Sequence, residues 1–336
     1  MIAPIRRRTP RNHGVLRRGL SCATVLLAGL VGAGVVSVST GVSRAGEARH
    51  AAATPGCDGM DTIRTIAGTV CVHGEDDGFP TAAATGSSTA GDLTARRIPC
   101  HGDGNSGKRI AFYYAYLAGH PDRASAVRRQ LRQVIEQAND IVYRSARQQS
   151  GKRWLRVLTD KRCRPVVRSL ELPHKAADSF GETINAAQRA GLDAKNRKYV
   201  LFVDADNLCG IATLLYDEQP TPDNLNNAGP SWARVDSGCW SAEPTVHEIF
   251  HMLGAVEKGA PHYDDTGHCT DDRDVMCYQS PGGKRVRIRC HPWSEEERLD
   301  CGKNDYFNIA PRNGSYLAKH WNTARSSFLY GGGPAA

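Results

Sequence analysis

The sequence predicts an α+β domain with a twisted mixed sheet, a long backing helix, a second helix carrying the chemistry and a smaller, loop-rich C-terminal part. Three observations predict this architecture. Residues 121–149 place Val127, Leu131, Val134, Ile135, Ala138, Ile141 and Val142 at the spacing of one helical face. Short runs rich in β-branched and aromatic residues, Arg109 to Leu117, Trp154 to Leu158 and Tyr199 to Val203, read as strands. A compact apolar segment, Glu243 to Leu253, ends at Gly254 and reads as a second helix.

Taken in chain order, residues 1–45 come first. Arg6, Arg7, Arg8, Arg11, Arg17 and Arg18 precede an apolar, small-residue run from Gly19 to about Ser39, and Ser43-Arg44-Ala45 has the small-x-small pattern of a cleavage site. This is the layout of a secretory signal peptide, and it predicts a secreted, extracellular protein with no stable membrane anchor after cleavage. The apolar run approaches the roughly 20 residues that a bilayer span needs, but its Gly and Ser content favours a cleaved leader. The leader holds seven arginines and no Asp or Glu, so the +8 formal charge belongs mostly to it. The rest of the chain is close to neutral, which argues against a nucleic-acid partner.

Of the 11 cysteines, Cys22 lies in the leader. The even, dispersed remainder reads as a disulfide framework. Proximity suggests Cys209 with Cys239 and Cys290 with Cys301, and Cys100 is expected in an ordinary disulfide. No Cys-x-x-Cys pair occurs, which argues against a structural zinc ribbon. Residues 46–99 are rich in Ala, Gly, Thr and Ser and read as a linker or pro-segment, with a small ordered patch around Cys57 and Cys71. Residues 100–330 are expected to form one domain, with its C-terminal part starting near residue 255. Turn residues dominate there through Gly283, and a short helix is expected near Ser294 to Leu299.

The chemistry concentrates in His247-Glu248-Ile249-Phe250-His251. Two imidazoles four residues apart are separated by roughly 400° around a helix, so they leave one face and can chelate one ion. Neutral imidazole suits Zn2+, and a catalytic zinc keeps one position open. Glu248 stands where its carboxylate can take a proton from the attacking water and return it to the leaving amine.

His247-Glu248-x-x-His251-x-x-Gly254, followed by Asp274-Val275-Met276-Cys277-Tyr278, resembles the zinc helix and Met-turn of the metzincin metallopeptidases. The run also resembles a group of secreted bacterial proteins. The resemblance implies a zinc endopeptidase acting on a polypeptide substrate. It implies that Met276 is the Met-turn methionine and that Tyr278 is a catalytic residue stabilising the oxyanion. It also implies a third metal ligand three residues past the glycine, where this chain has Glu257. Three candidates are therefore open. His268 is preferred, for its imidazole and its neighbour Cys269, followed by His262 and then Glu257. Asp264, Asp265, Asp271, Asp272 and Asp274 form an acidic run suited to orienting imidazoles or to holding Ca2+.

Other signals carry less. Gly102-Asp103-Gly104-Asn105-Ser106-Gly107-Lys108 has the spacing of a phosphate loop, but Arg109 follows where Ser or Thr is required. Asp204-Ala205-Asp206 reads as a strand-end turn. Trp232, Trp240, Trp293 and Trp321 are expected in the core or lining a pocket. A monomer is expected. Two rival functions stay open, a zinc-binding secreted protein without proteolytic activity and a cell-wall peptide amidase.

Overall fold

The computed structural model describes residues 56–57, 59–76, 97–288 and 298–331. The predicted leader, most of the predicted linker, Cys290, Trp293 and residues 294–297 of the predicted helix at 294–299 lie outside the described residues. No described helix is long and apolar enough to cross a membrane.

The described chain is mixed α/β. It opens with a hairpin, β1 (Asp61–Thr65) and β2 (Gly68–Val72). Then come β3 (Arg109–Leu117), α1 (Ala124–Arg147), β4 (Trp154–Leu155), β5 (Val167–Leu172), α2 (Phe180–Arg189) and β6 (Arg197–Val203). β7 (Gly210–Ala212), β8 (Ser231–Asp236) and α3 (Ala242–Met252) complete the central part. Five strands form one sheet in the order β5-β3-β6-β8-β7, parallel except for the antiparallel edge strand β7.

β3 shows why the sheet is central. Ile110, Phe112 and Tyr114 enter one hydrophobic core, and Ala111, Tyr113 and Ala115 enter a second on the opposite face. A parallel strand buried on both faces reads as a continuous apolar run, as RIAFYYAYL does. α1 and α3 cover the first face, with every periodic apolar residue of α1 buried. Asn139, also on that buried face, accepts from Leu155 N at 2.9 Å through its side-chain oxygen. α2 and the hairpin residues Ile63 and Val70 cover the second face. The expected strand at 154–158 is divided, Trp154 and Leu155 pairing with the short C-terminal strand at Leu329–Tyr330 and Val157 making an isolated parallel bridge to Ile110 of β3.

α3 lies deep in the molecule, with every residue from Pro244 to Met252 buried. Pro244 is tolerated because it falls in the first turn, where an N–H has no intrahelical acceptor. The C-terminus closes as a Schellman motif, Ala255 N donating to Phe250 O at 2.9 Å and Gly254 N to His251 O at 2.9 Å. Gly254 has φ +78°, and a Cβ there would overlap the Asn226 side chain, so glycine is required twice over. Remaining carbonyls at this end are met by Lys198 Nζ on Met252 O and Trp321 Nε1 on Leu253 O, each at 2.7 Å. The helix is thereby held at a fixed height against the sheet edge.

Four disulfides join Cys57 to Cys71, Cys100 to Cys163, Cys209 to Cys239 and Cys269 to Cys277. The Cys209–Cys239 pair and the ordinary disulfide at Cys100 match expectation. Cys301 is also disulfide-bonded.

Candidate metal centre

His247 and His251 project from α3 toward β7, and His268 meets them from the loop that follows the helix. His251 Nε2 lies 2.8 Å from His247 Nε2 and 3.1 Å from His268 Nε2. All three rings are at most 2 % exposed. Burial holds each imidazole in its neutral form, lowering His247 to about 4 and the other two well below the usual range.

The opposite ring nitrogens fix two of the tautomers. His247 Nδ1 donates to Val275 O at 2.6 Å. His268 Nδ1 lies 2.9 Å from Ser280 Oγ, and the Ser280 hydroxyl donates to Asp264 Oδ2 at 2.9 Å, so the imidazole is the donor to Ser280. The Nε2 atoms of His247 and His268 therefore present bare lone pairs toward His251. Lone pairs converging at this distance repel unless a metal ion, or a proton on His251 Nε2, lies among them. The nitrogens stand closer than the roughly 3.4 Å between ligand atoms of a tetrahedral zinc with bonds of about 2.1 Å, so a small outward shift of the rings would let them share one ion.

The loop carrying His268 is built for rigidity. Asp264 accepts from His268 N at 3.0 Å and Thr266 N at 2.8 Å, and the Cys269–Cys277 bridge closes the loop behind the ligand. Met276 is fully buried inside this bridge, its carbonyl accepting from Cys269 N at 3.0 Å. Tyr278 follows, with its ring 4.4 Å from that of His268 and 5.6 Å from that of His247.

Glu248 faces the same cluster. Burial pushes its carboxyl up to about 8. Gly210 of β7 makes the room, since a Cβ there would overlap Glu248 Oε1. Two further groups come from the segment after β2. His73 Nε2 lies 3.3 Å from Glu248 Oε2, and its ring stacks on His251 with centroids 3.8 Å apart. Asp76 Oδ2 lies 3.4 Å from His247 Nε2, and its other oxygen accepts from Tyr278 OH. Burial, and then the neighbouring Glu248, push Asp76 up to about 7. A cleft of about 300 Å³ opens here, lined in part by His73, Asp76, His268 and Tyr278. A larger cavity of about 820 Å³ borders Pro220, Trp321 and Tyr330 and includes none of these histidines.

His268 thus joins the two helix histidines, and the other two proposed third ligands do not. Glu257 is buried elsewhere, accepting from Asp217 N at 3.0 Å and Asn226 Nδ2 at 3.3 Å, where it ties the chain leaving α3 to the preceding loop. His262 pairs with Asp305 at 2.9 Å and lies 3.6 Å from Asp271. Of the acidic run, Asp264 and Asp274 are occupied by protein donors, Asp274 accepting from Met276 N and Cys301 N. Asp271 with His262 and Asp305 is a second group able to hold a cation.

His73 and Asp76 were not among the expected site residues. They stand in a stretch that reads as linker, and the only local sign of order is the nearby Cys57 and Cys71. No family model matches the chain, and no curated protein matches it.

Proposed function

We propose that the chain is a secreted zinc-dependent endopeptidase of metzincin-like type. The observation that carries the reading is the convergence of the His247, His251 and His268 Nε2 atoms beside the Glu248 carboxylate in one buried cluster. Three neutral imidazoles and an adjacent, non-ligating carboxylate are the donor set of a hydrolytic zinc rather than of a closed structural one. Gly254 at the helix end, the buried Met276 and Tyr278 beside the histidines agree with the resemblance. The disulfides suit an oxidising compartment and hence export.

His247, His251 and His268 would hold the metal. When bound, zinc polarises a peptide carbonyl and makes water more acidic. The remaining work falls to side chains and backbone. Glu248 takes the proton of the attacking water and delivers it to the leaving nitrogen, and its buried site lets it retain that proton between the two events. Tyr278 OH is placed to donate to the oxyanion that develops on the substrate. The outer side of edge strand β7, along which the segment after β2 lies, would offer main-chain donors and acceptors to an extended polypeptide once that segment is displaced.

The test is metal content together with cleavage of a denatured protein. Because Asp76 occupies the cleft, it is run in the wild-type background and in Asp76→Ala. One zinc per chain is expected, with Glu248→Ala retaining zinc and losing cleavage by at least about a hundredfold. A chain that binds no zinc, or that cleaves nothing in either background, contradicts the peptidase reading.

A further inference from the structure

We propose that the segment Cys71–Asp76 is a built-in occupant of the cleft, with Asp76 filling the metal's fourth position and His73 covering Glu248, so that this form of the chain is latent. The effect on cleavage rests on the peptidase reading above, whereas the effect on the metal's fourth position does not.

Ligand geometry comes first. The Asp76 carboxylate lies 3.4 Å from His247 Nε2 and 3.9 Å from His268 Nε2, on the same scale as the 2.8 and 3.1 Å spacings among the histidines. The shorter distance is from Oδ2 and the longer from Oδ1, and Asp76, His247 and His268 form one buried group able to hold a metal ion. Asp76 is 2 % exposed, and its Oδ2 has no hydrogen-bond donor although it is fully enclosed. This buried carboxylate faces the Glu248 carboxyl as well as converging imidazole lone pairs, and negative charge so enclosed calls for a cation among them.

The second observation is the path of the chain. Val72 bridges Thr213 and Asp76 bridges Gly210, both antiparallel, with Asp76 N donating to Gly210 O at 3.0 Å and Leu214 N to Cys71 O at 3.0 Å. The segment therefore lies along the outer side of β7 as an added strand, using the backbone groups that an extended substrate would need. His73 Nε2 accepts from Ala212 N at 3.0 Å, which fixes the ring over Glu248. Tyr278 is engaged as well, by its hydrogen bond to Asp76. One short segment thus meets the metal site, the base and the oxyanion donor together.

The third observation is attachment. Cys57–Cys71 closes within the hairpin segment, and no disulfide among the described residues ties that segment to the rest of the molecule. It is held by strand pairing and by contacts such as Ile66 N on Asn185 Oδ1 at 2.7 Å. A peptide-bond cut after Asp76 and before the bridged Cys100 would leave the hairpin bound by non-covalent contacts alone, a reversible attachment suited to release.

The experiment uses the full chain as wild type, Asp76→Ala and His73→Ala, with zinc content, thermal melting and the affinity for acetohydroxamate, a small zinc-chelating anion. Asp76→Ala is expected to keep one zinc and to bind acetohydroxamate at least tenfold more tightly than wild type. His73→Ala is expected to keep zinc with wild-type acetohydroxamate affinity. If Asp76→Ala melts as an unfolded chain, Asp76→Asn replaces it, since an amide keeps the shape but is a poor zinc ligand. Loss of zinc from the folded Asp76 variant would make Asp76 a permanent ligand and overturn the proposal. Equal acetohydroxamate affinity in wild type and variant would overturn it too. Tighter acetohydroxamate binding without any cleavage upholds the occupied position and counts against the peptidase reading instead.

Discussion

Two regions supply the site, and they differ in how they reach it. α3 contributes His247, Glu248 and His251 from a single helical turn and a half, so their relative placement follows from helix geometry alone. The segment after β2 contributes His73 and Asp76 from more than a hundred residues away, and only the sheet edge brings them there. Rigidity differs as well. α3 is buried along nearly its whole length and closed at its end by Lys198 and Trp321, whereas the hairpin packs its apolar residues Ile63 and Val70 only partly. A deeply buried half and a less anchored half meeting at one candidate metal centre fit the proposal above, in which the cleft can be occupied or open.

The largest effect is expected where the two regions meet, at Gly210, which bonds Asp76 through its backbone and leaves space for Glu248. In the Asp76→Ala background, Gly210→Ala should lower cleavage by about ten- to a hundredfold with zinc retained, because a methyl group would displace the base. Unchanged cleavage would show that Glu248 does not need this position. Next is Ser280→Ala, which removes the nearer of the two hydroxyl acceptors at His268 Nδ1, leaving Thr266 Oγ1 at 3.2 Å and every element of α3 in place. Zinc affinity, measured by competition with a chelator, should fall about ten- to a hundredfold. An unaltered affinity would argue that the loop contributes rigidity without tuning the ligand.

A smaller and graded effect concerns pH in the metal-free chain. The folded Glu248 and Asp76 carboxyls titrate at about 8 and about 7, well above the carboxylate range of an unfolded chain. Over that interval the folded state holds protons that the unfolded state has lost, so stability falls as pH rises. His247, lowered to about 4, acts in the opposite sense, but only up to the ordinary histidine value near 6.5. Between pH 6.5 and 8.5 Lys198, which burial lowers to about 7, opposes them, but Asp300, raised to about 7, acts with them, so the buried carboxylates outnumber it and set the sign. The melting temperature of chelator-treated protein should drop across that range, and zinc should flatten the drop. A flat profile without zinc would place the two carboxylates in a more hydrated setting.

Much of this was legible in the sequence wherever the signal was local. β3 spans the predicted Arg109 to Leu117, and the periodic apolar residues of α1 are buried as their spacing requires. Glu243 to Leu253 predicted α3 to within a residue at each end. His268 was favoured for its bridged neighbour, and Cys269 is bridged, to Cys277. α2 was missed although Ser179 and Glu182 carry a capping-box signature, and Ser179 Oγ does accept from Glu182 N at 3.3 Å. His73 and Asp76 had no such signature. One histidine and one member of the acidic run Glu75-Asp76-Asp77 acquire meaning only through pairing along β7, a contact that no periodicity encodes. Glu257 shows the converse. It stands at the spacing the resemblance asks for, yet it is taken up by Asp217 N and Asn226, because the chain leaving α3 turns it away from the histidines.

The measurement that bears most directly on the metal centre is the zinc content of the purified full chain beside His268→Ala and His262→Ala. One zinc per chain is expected in wild type and in His262→Ala, with His268→Ala retaining little after brief dialysis against a chelator. A wild-type chain without zinc, or zinc lost from His262→Ala and kept in His268→Ala, would contradict a centre built on His247, His251 and His268.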